Sequence, residues 1–231
     1  MKLYRVVFMG LLITFLSLGT ASAGMFDSLT KKPGGASSAS SGGGDIDSFL
    51  ARAQESEKLV NASTQSLFSA TASKEEKAKI DEIQKKMNET TDPKEKNKLQ
   101  KSITATQDAE IQRQANDKKL QKDAAKWNDK QKQHVSDAFY NYALGAIQAG
   151  MLVPEGNNII SSVKSNPMQA VKLATKLDTA YESVTTLGGI AKGSVNTISA
   201  LKKLMSAANI SVKLPTSATE KAKPVDDKDM E

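Results

Sequence analysis

Helix starts recur along this chain, and nothing in it calls for a sheet. Ser73, with Glu76 three residues on, has the spacing of a capping box, in which a helix start satisfies its own free N–H groups. Thr91-Asp92-Pro93 and Asn166-Pro167 each place a hydrogen-bonding cap before a proline, whose missing N–H costs nothing at the first helical position. No apolar-polar alternation of period two is long enough to demand a strand. The chain therefore reads as all-α: an antiparallel helical bundle with an extended charged helical hairpin or arm, a flexible N-terminal linker and a disordered C-terminal tail.

The apolar stripes place the elements. Ile46, Phe49, Leu50, Ala53, Val60, Leu67 and Phe68 recur at near-helical intervals, predicting a first helix from Asp45 or Asp47 to about Ala70. The second helix, after Ser73, has only Ile80, Ile83 and Met87 as large apolar residues, too narrow a stripe to stand alone. A long third helix starts at Pro93 and carries Leu99, Ile103, Leu120, Ala124, Trp127, Val135, Phe139, Tyr142 and Ala146 on nearly one face. Glu110 and Asp117 interrupt that face, so the helix either breaks near Asn116 or sends its middle into solvent as an arm with the second helix.

Gly150 and Pro154-Glu155-Gly156 are read as ending it, with a helical turn or two over Asn157 to Val163. From Pro167 a core helix carries Ala170, Leu173, Leu177, Ala180, Tyr181, Val184 and Leu187, and Gly188-Gly189 ends or kinks it. Ile190, Ile198, Leu201, Leu204, Met205 and Ala208 then form a last stripe, expected to pack antiparallel to the preceding one. One domain spans 45–213, with the arm over about 74–132 and the core over about 133–210. Residues 214–231, rich in Pro, Thr, Lys and Asp, read as a disordered tail.

Ahead of this domain stand two segments that do not belong to a fold. Residues 1–23 have a basic start (Lys2, Arg5), an apolar run from Val6 to Gly19 and Ala21-Ser22-Ala23 spaced as a signal-peptidase site, the pattern of an export signal. Residues 24–44 follow as a flexible segment rich in glycine and serine. Removal of Lys2 and Arg5 lowers the formal charge by two from +6. The expected location is periplasmic or secreted. With no cysteine in the chain, an oxidising compartment supplies no disulfide, and thiolate chemistry and Cys-ligated metals are excluded.

The remaining chemistry is sparse. His134 is the single histidine, so a multi-histidine metal site cannot exist, and no nucleophile stands out to pair with it; a surface or capping role fits better. Gly188-Gly189-Ile190-Ala191-Lys192-Gly193-Ser194 has the glycines of a phosphate loop but lacks the lysine after the second glycine and a preceding strand. The carboxylates lie among lysines, with no pair set apart for acid catalysis. No catalytic residue, cofactor or metal is expected, and the chain is read as a non-enzyme. Ala138 to Val153, its most apolar stretch after the leader, reads as core rather than a membrane-inserting element, because Asn141 and Gln148 interrupt it.

What the sequence does offer is positive charge. Lys94 to Lys132 holds eleven Lys or Arg against six Asp or Glu and includes Trp127. The candidate binding residues are Lys118, Lys119, Lys122, Lys126, Trp127 and Lys130, and interspersed carboxylates with export argue against nucleic acid as the ligand. The function expected is that of an exported helical binding, scaffold or assembly factor of the cell envelope. Its partner would be a protein or an anionic envelope surface, with peripheral membrane contact and homo-oligomerisation within that reading. The alternatives are a membrane-active helical protein, lipid-binding or pore-forming, and a periplasmic holdase-type chaperone.

Overall fold

The computed structural model describes residues 42–225, and among them every regular element is an α-helix. In chain order these are α1 (Gly42–Thr71), α2 (Lys74–Glu89), α3 (Pro93–Ala115), α4 (Lys118–Ala124), α5 (Asp129–Lys164), α6 (Pro167–Lys172) and α7 (Ala174–Ala207). The export signal over 1–23 and the linker up to residue 41 lie outside the described residues. Gly42 to Gly44, expected in that linker, open α1 instead, so Asp45 sits in its first turn.

The caps do what their spacing implies. Ser73 and Glu76 exchange both bonds of a capping box, Asp92 Oδ1 accepts from Lys94 N at 2.9 Å, and Asn166 Oδ1 accepts from Gln169 N at 3.3 Å. The long third helix is three helices. Asn116 ends α3, and Asp117 restarts the chain as α4 by accepting from Lys119 N (2.6 Å) and Leu120 N (3.1 Å). A second break at Ala125–Asn128 follows, and Asn128 with Gln131 forms another capping box at the head of α5. Each such cap contributes about 1 kcal/mol, enough to set where a polar helix restarts.

Two expected helix ends are absent. α5 runs unbroken through Gly150, Pro154 and Gly156 to Lys164, and α7 runs unbroken through Gly188-Gly189 to Ala207. Pro154 removes one N–H from the α5 ladder on the exposed side, but Leu152, Gly156, Ile160 and Val163 are all buried on the opposite face. That burial outweighs one lost bond. Gly156 is present for close approach: a Cβ there would lie 2.5 Å from both Phe49 Cζ of α1 and Val184 Cγ2 of α7. In α7, Leu187, Ser194, Thr197, Leu201 and Leu204 continue one buried face across the glycines. The break falls earlier, at Leu173, which separates α6 from α7.

α1, α5 and α7 pack on one another, α3 lies against α1 and α7, α2 lies on α3, and α4 on α7. One apolar cluster gathers Ile46, Phe49, Ala53, Leu152, Ile160, Leu177 and Leu187 from the three long helices. The other joins Val60 and Leu67 of α1 to Ile80 of α2, Ile103 and Ile111 of α3, Ala124 of α4, Phe139 and Tyr142 of α5, and Leu201 and Leu204 of α7. The segment expected as an arm over 74–132 thus shares a core with 133–210. Arg113 of α3 pairs with Glu76 of α2 as well as with its own neighbour Glu110, and Gln114 Nε2 donates to Glu76 at 3.0 Å, which fixes α2 along α3.

Residues 214–225 belong to the stretch expected as a disordered tail over 214–231. Through Val225 the chain has no helix or strand, yet Pro215 is buried and Leu214 and Val225 pack on the core. Tyr140, Asn141 and Gln148 hydrogen-bond to this stretch. Residues 226–231 lie outside the described residues.

Candidate functional site

The six candidate residues occupy one corner but not one helix. Lys118, Lys119 and Lys122 are on α4, with Lys118 and Lys122 one turn apart. Lys126 and Trp127 lie in the turn to α5, bent by Lys126 N–H to Asp123 O (2.9 Å) and Trp127 N–H to Ala124 O (3.1 Å), and Lys130 stands in the first turn of α5. All five lysines are exposed. Trp127 is half-buried, its ring packed on the cluster that contains Phe139 and Leu204.

The corner is fixed from three sides. Ala124 is fully buried, Leu120 packs on the same cluster, and α4 lies against α7. Gln121 Nε2 donates to Ala115 O at 2.9 Å, tying α4 to the end of α3. Asn116 is bonded twice, its Nδ2 donating to Gln112 O at 2.7 Å and its Oδ1 accepting from Lys203 Nζ at 3.4 Å. Lys203 thereby joins the corner from α7, an addition the sequence could not supply because it depends on which helix packs on α4. Of the nearby carboxylates, Asp117 is engaged with backbone N–H groups, and Asp123 faces Lys126 at 3.7 Å. A pair so exposed is worth at most about 1 kcal/mol and leaves the cationic character of the corner in place.

Other features are less suited to chemistry. Among the described residues no three His, Asp or Glu side chains group as a metal site. His134, expected at the surface or in a cap, is buried on α5. Ala138 to Ala146 and Leu152 are buried, so the most apolar described stretch is core, and no described helix is long and apolar enough to cross a membrane. Two open grooves, of about 450 Å³ beside Arg52, Pro154 and Glu155 and about 480 Å³ beside Lys94, Lys98, Lys101 and Glu182, have ion pairs across them.

One carboxylate stands out by environment. Burial pushes Asp108 of α3 up to about 6, although the Tyr142 hydroxyl donates to its Oδ1 at 3.1 Å. Tyr142 is raised in turn, by burial first and then by the Asp108 charge. Nearby, Gln112 Nε2 donates to Thr197 Oγ1 at 2.8 Å, linking α3 to α7. This polar contact lies between packed helices, not in a cleft, and its role is to seat α3.

Compared with known proteins, the chain matches no protein family, no curated protein and no solved structure.

Proposed function

We propose that this chain is an exported, non-enzymatic binding or assembly factor of the cell envelope, acting from the periplasm or after secretion through the basic corner of α4 and the start of α5. The observation that carries this reading is the exposure of Lys118, Lys119, Lys122, Lys126 and Lys130 around a Trp127 whose ring is seated on the core. Clustered ammonium groups attract an anionic surface or an acidic partner at long range, and an anchored indole supplies apolar contact with little entropy to lose. In this reading α2 and α3 form a charged helical hairpin laid on an antiparallel bundle of α1, α5 and α7, which holds the corner rigid.

The test is sedimentation of residues 24–231 with vesicles containing an anionic lipid, for the wild type and for Lys119→Glu/Lys122→Glu/Lys126→Glu. Binding at low salt that falls with salt and disappears in the triple variant is the expected result. Binding that the triple variant retains would remove the corner from the function. Release of an encapsulated dye that persists at high salt would replace this reading with membrane insertion.

A further inference from the structure

After α7, Asn209 adopts φ 56°, a conformation asparagine tolerates, and turns the chain back along the fold. The stretch that follows meets a face of α5 made by Asp137, Tyr140 and Asn141, whose spacing places them together. Lys223 is held there at four points. Its ammonium lies 2.8 Å from Asp137 Oδ1 and 4.8 Å from the centre of the Tyr140 ring. Its backbone N–H donates to Asn141 Oδ1 at 2.7 Å, and its carbonyl accepts from Asn141 Nδ2 at 2.8 Å. Upstream, the Tyr140 hydroxyl donates to Glu220 Oε2 at 2.8 Å, and Gln148 Nε2 donates to Ala218 O at 3.1 Å.

Each contact has a distinct chemical role. One asparagine amide that pairs with both the N–H and the C=O of a single residue supplies the two bonds a neighbouring strand would, so it recognises main chain whatever the side chain is. Asp137, with a side chain only 13% exposed and held by Gln133 Nε2 at 2.7 Å, combines with the Tyr140 ring face to select a cation on a long stem. We propose that this face of α5 is a binding site for a lysine-bearing peptide, which residues 218–223 of the chain itself, leaving a turn closed by Glu220 N–H to Ser217 O at 3.3 Å, occupy in cis.

The occupant is held lightly. Thr216, Ser217, Thr219, Lys221, Ala222 and Pro224 are exposed, the segment has no helix or strand of its own, and between Leu214 and Val225, which pack on the core, its hold on α5 consists of the contacts just described. Segments of this kind open at the low end of a protein's stability range. A tether of this length presents the segment at an effective concentration near millimolar, so a second copy at micromolar concentration does not compete. The ligand that displaces it is a peptide of a partner protein that carries a lysine with a carboxylate three residues before it, as Glu220 stands to Lys223.

The experiment measures binding of a fluorescent peptide of sequence 214–225 to three full chains: wild type, Lys223→Ala and Lys223→Ala/Asp137→Asn. With the cis contact weakened, Lys223→Ala is expected to bind the peptide at least about tenfold more tightly than wild type. The added Asp137→Asn change, or acetylation of the peptide's lysine, is expected to abolish binding. Glu220→Ala weakens the cis contact by a different route and is expected to behave like Lys223→Ala, with far-UV circular dichroism confirming that each chain remains helical. Absence of binding to both helical single variants, or equal binding to all three chains, would overturn the proposal. Concentration-dependent dimers of the wild type that Lys223→Ala abolishes would assign the site to a second copy and overturn the partner assignment.

Discussion

Gly156 and Phe49 approach so closely that a single methyl at position 156 would lie 2.5 Å from Phe49 Cζ, well inside any permitted contact. Val184 closes on the same point from α7, also at 2.5 Å, so side chains of both α1 and α7 press against α5 at Gly156. Gly156→Ala gains helix propensity but must displace two packed side chains, and a net loss of about 1–3 kcal/mol is expected. Gly145→Ala, with Val60 Cγ2 at 2.6 Å from the added carbon, is expected to lose stability in the same way. Urea denaturation followed by circular dichroism reads both, and an unchanged midpoint for Gly156→Ala would contradict the close packing.

The glycines of α7 predict the opposite sign. A Cβ at Gly188, Gly189 or Gly193 meets nothing within 4 Å, and nothing in the packing explains a glycine at these positions. Each Gly→Ala change in this helix interior is expected to stabilise by up to about 1 kcal/mol, visible as a rise in the urea midpoint. Destabilisation would mean that α7 kinks at these residues in solution.

Asp108 gives the fold a pH dependence of defined sign. Its carboxyl is raised from 3.8 to about 6, so the folded chain binds this proton more tightly than the unfolded one. Stability contributed here is fully present below about 3.8 and is lost as pH rises through about 6, a span worth up to about 3 kcal/mol. Asp108→Asn keeps an acceptor for Tyr142 and removes the charge. Its stability relative to wild type is expected to climb between pH 4 and pH 6 and then level off, as measured by urea denaturation at a series of pH values; a difference independent of pH would contradict the buried site.

The sequence carried the helix starts further than the helix ends. Ser73-Glu76, Asp92-Pro93 and Asn166-Pro167 were legible because a cap is a local hydrogen-bond arrangement between residues a few positions apart. Asn128 with Gln131 has the same spacing as Ser73 with Glu76 and was the readable signal for the start of α5. Pro154, Gly156 and Gly188-Gly189 misled because their cost is local while the burial that overrides it, by Phe49, Val184 and Leu201, comes from distant helices. Asn141 and Gln148 interrupt the apolar stretch of α5 because they hydrogen-bond to Lys223 and Ala218, partners that no local pattern announces. The lysines of the corner were legible as charge, whereas their division over α4, a turn and α5, and the arrival of Lys203, follow from tertiary packing.

The most direct test of the basic corner uses its own reporter, since Trp127 is the single tryptophan of the chain. Its emission is followed while residues 24–231 are titrated with anionic and with neutral vesicles at low and high salt. A shift in Trp127 emission is expected with anionic vesicles at low salt, reversed by added salt and absent with neutral vesicles. Sedimentation of the protein with anionic vesicles while Trp127 emission stays unchanged would place the contact elsewhere and remove the basic corner from the function.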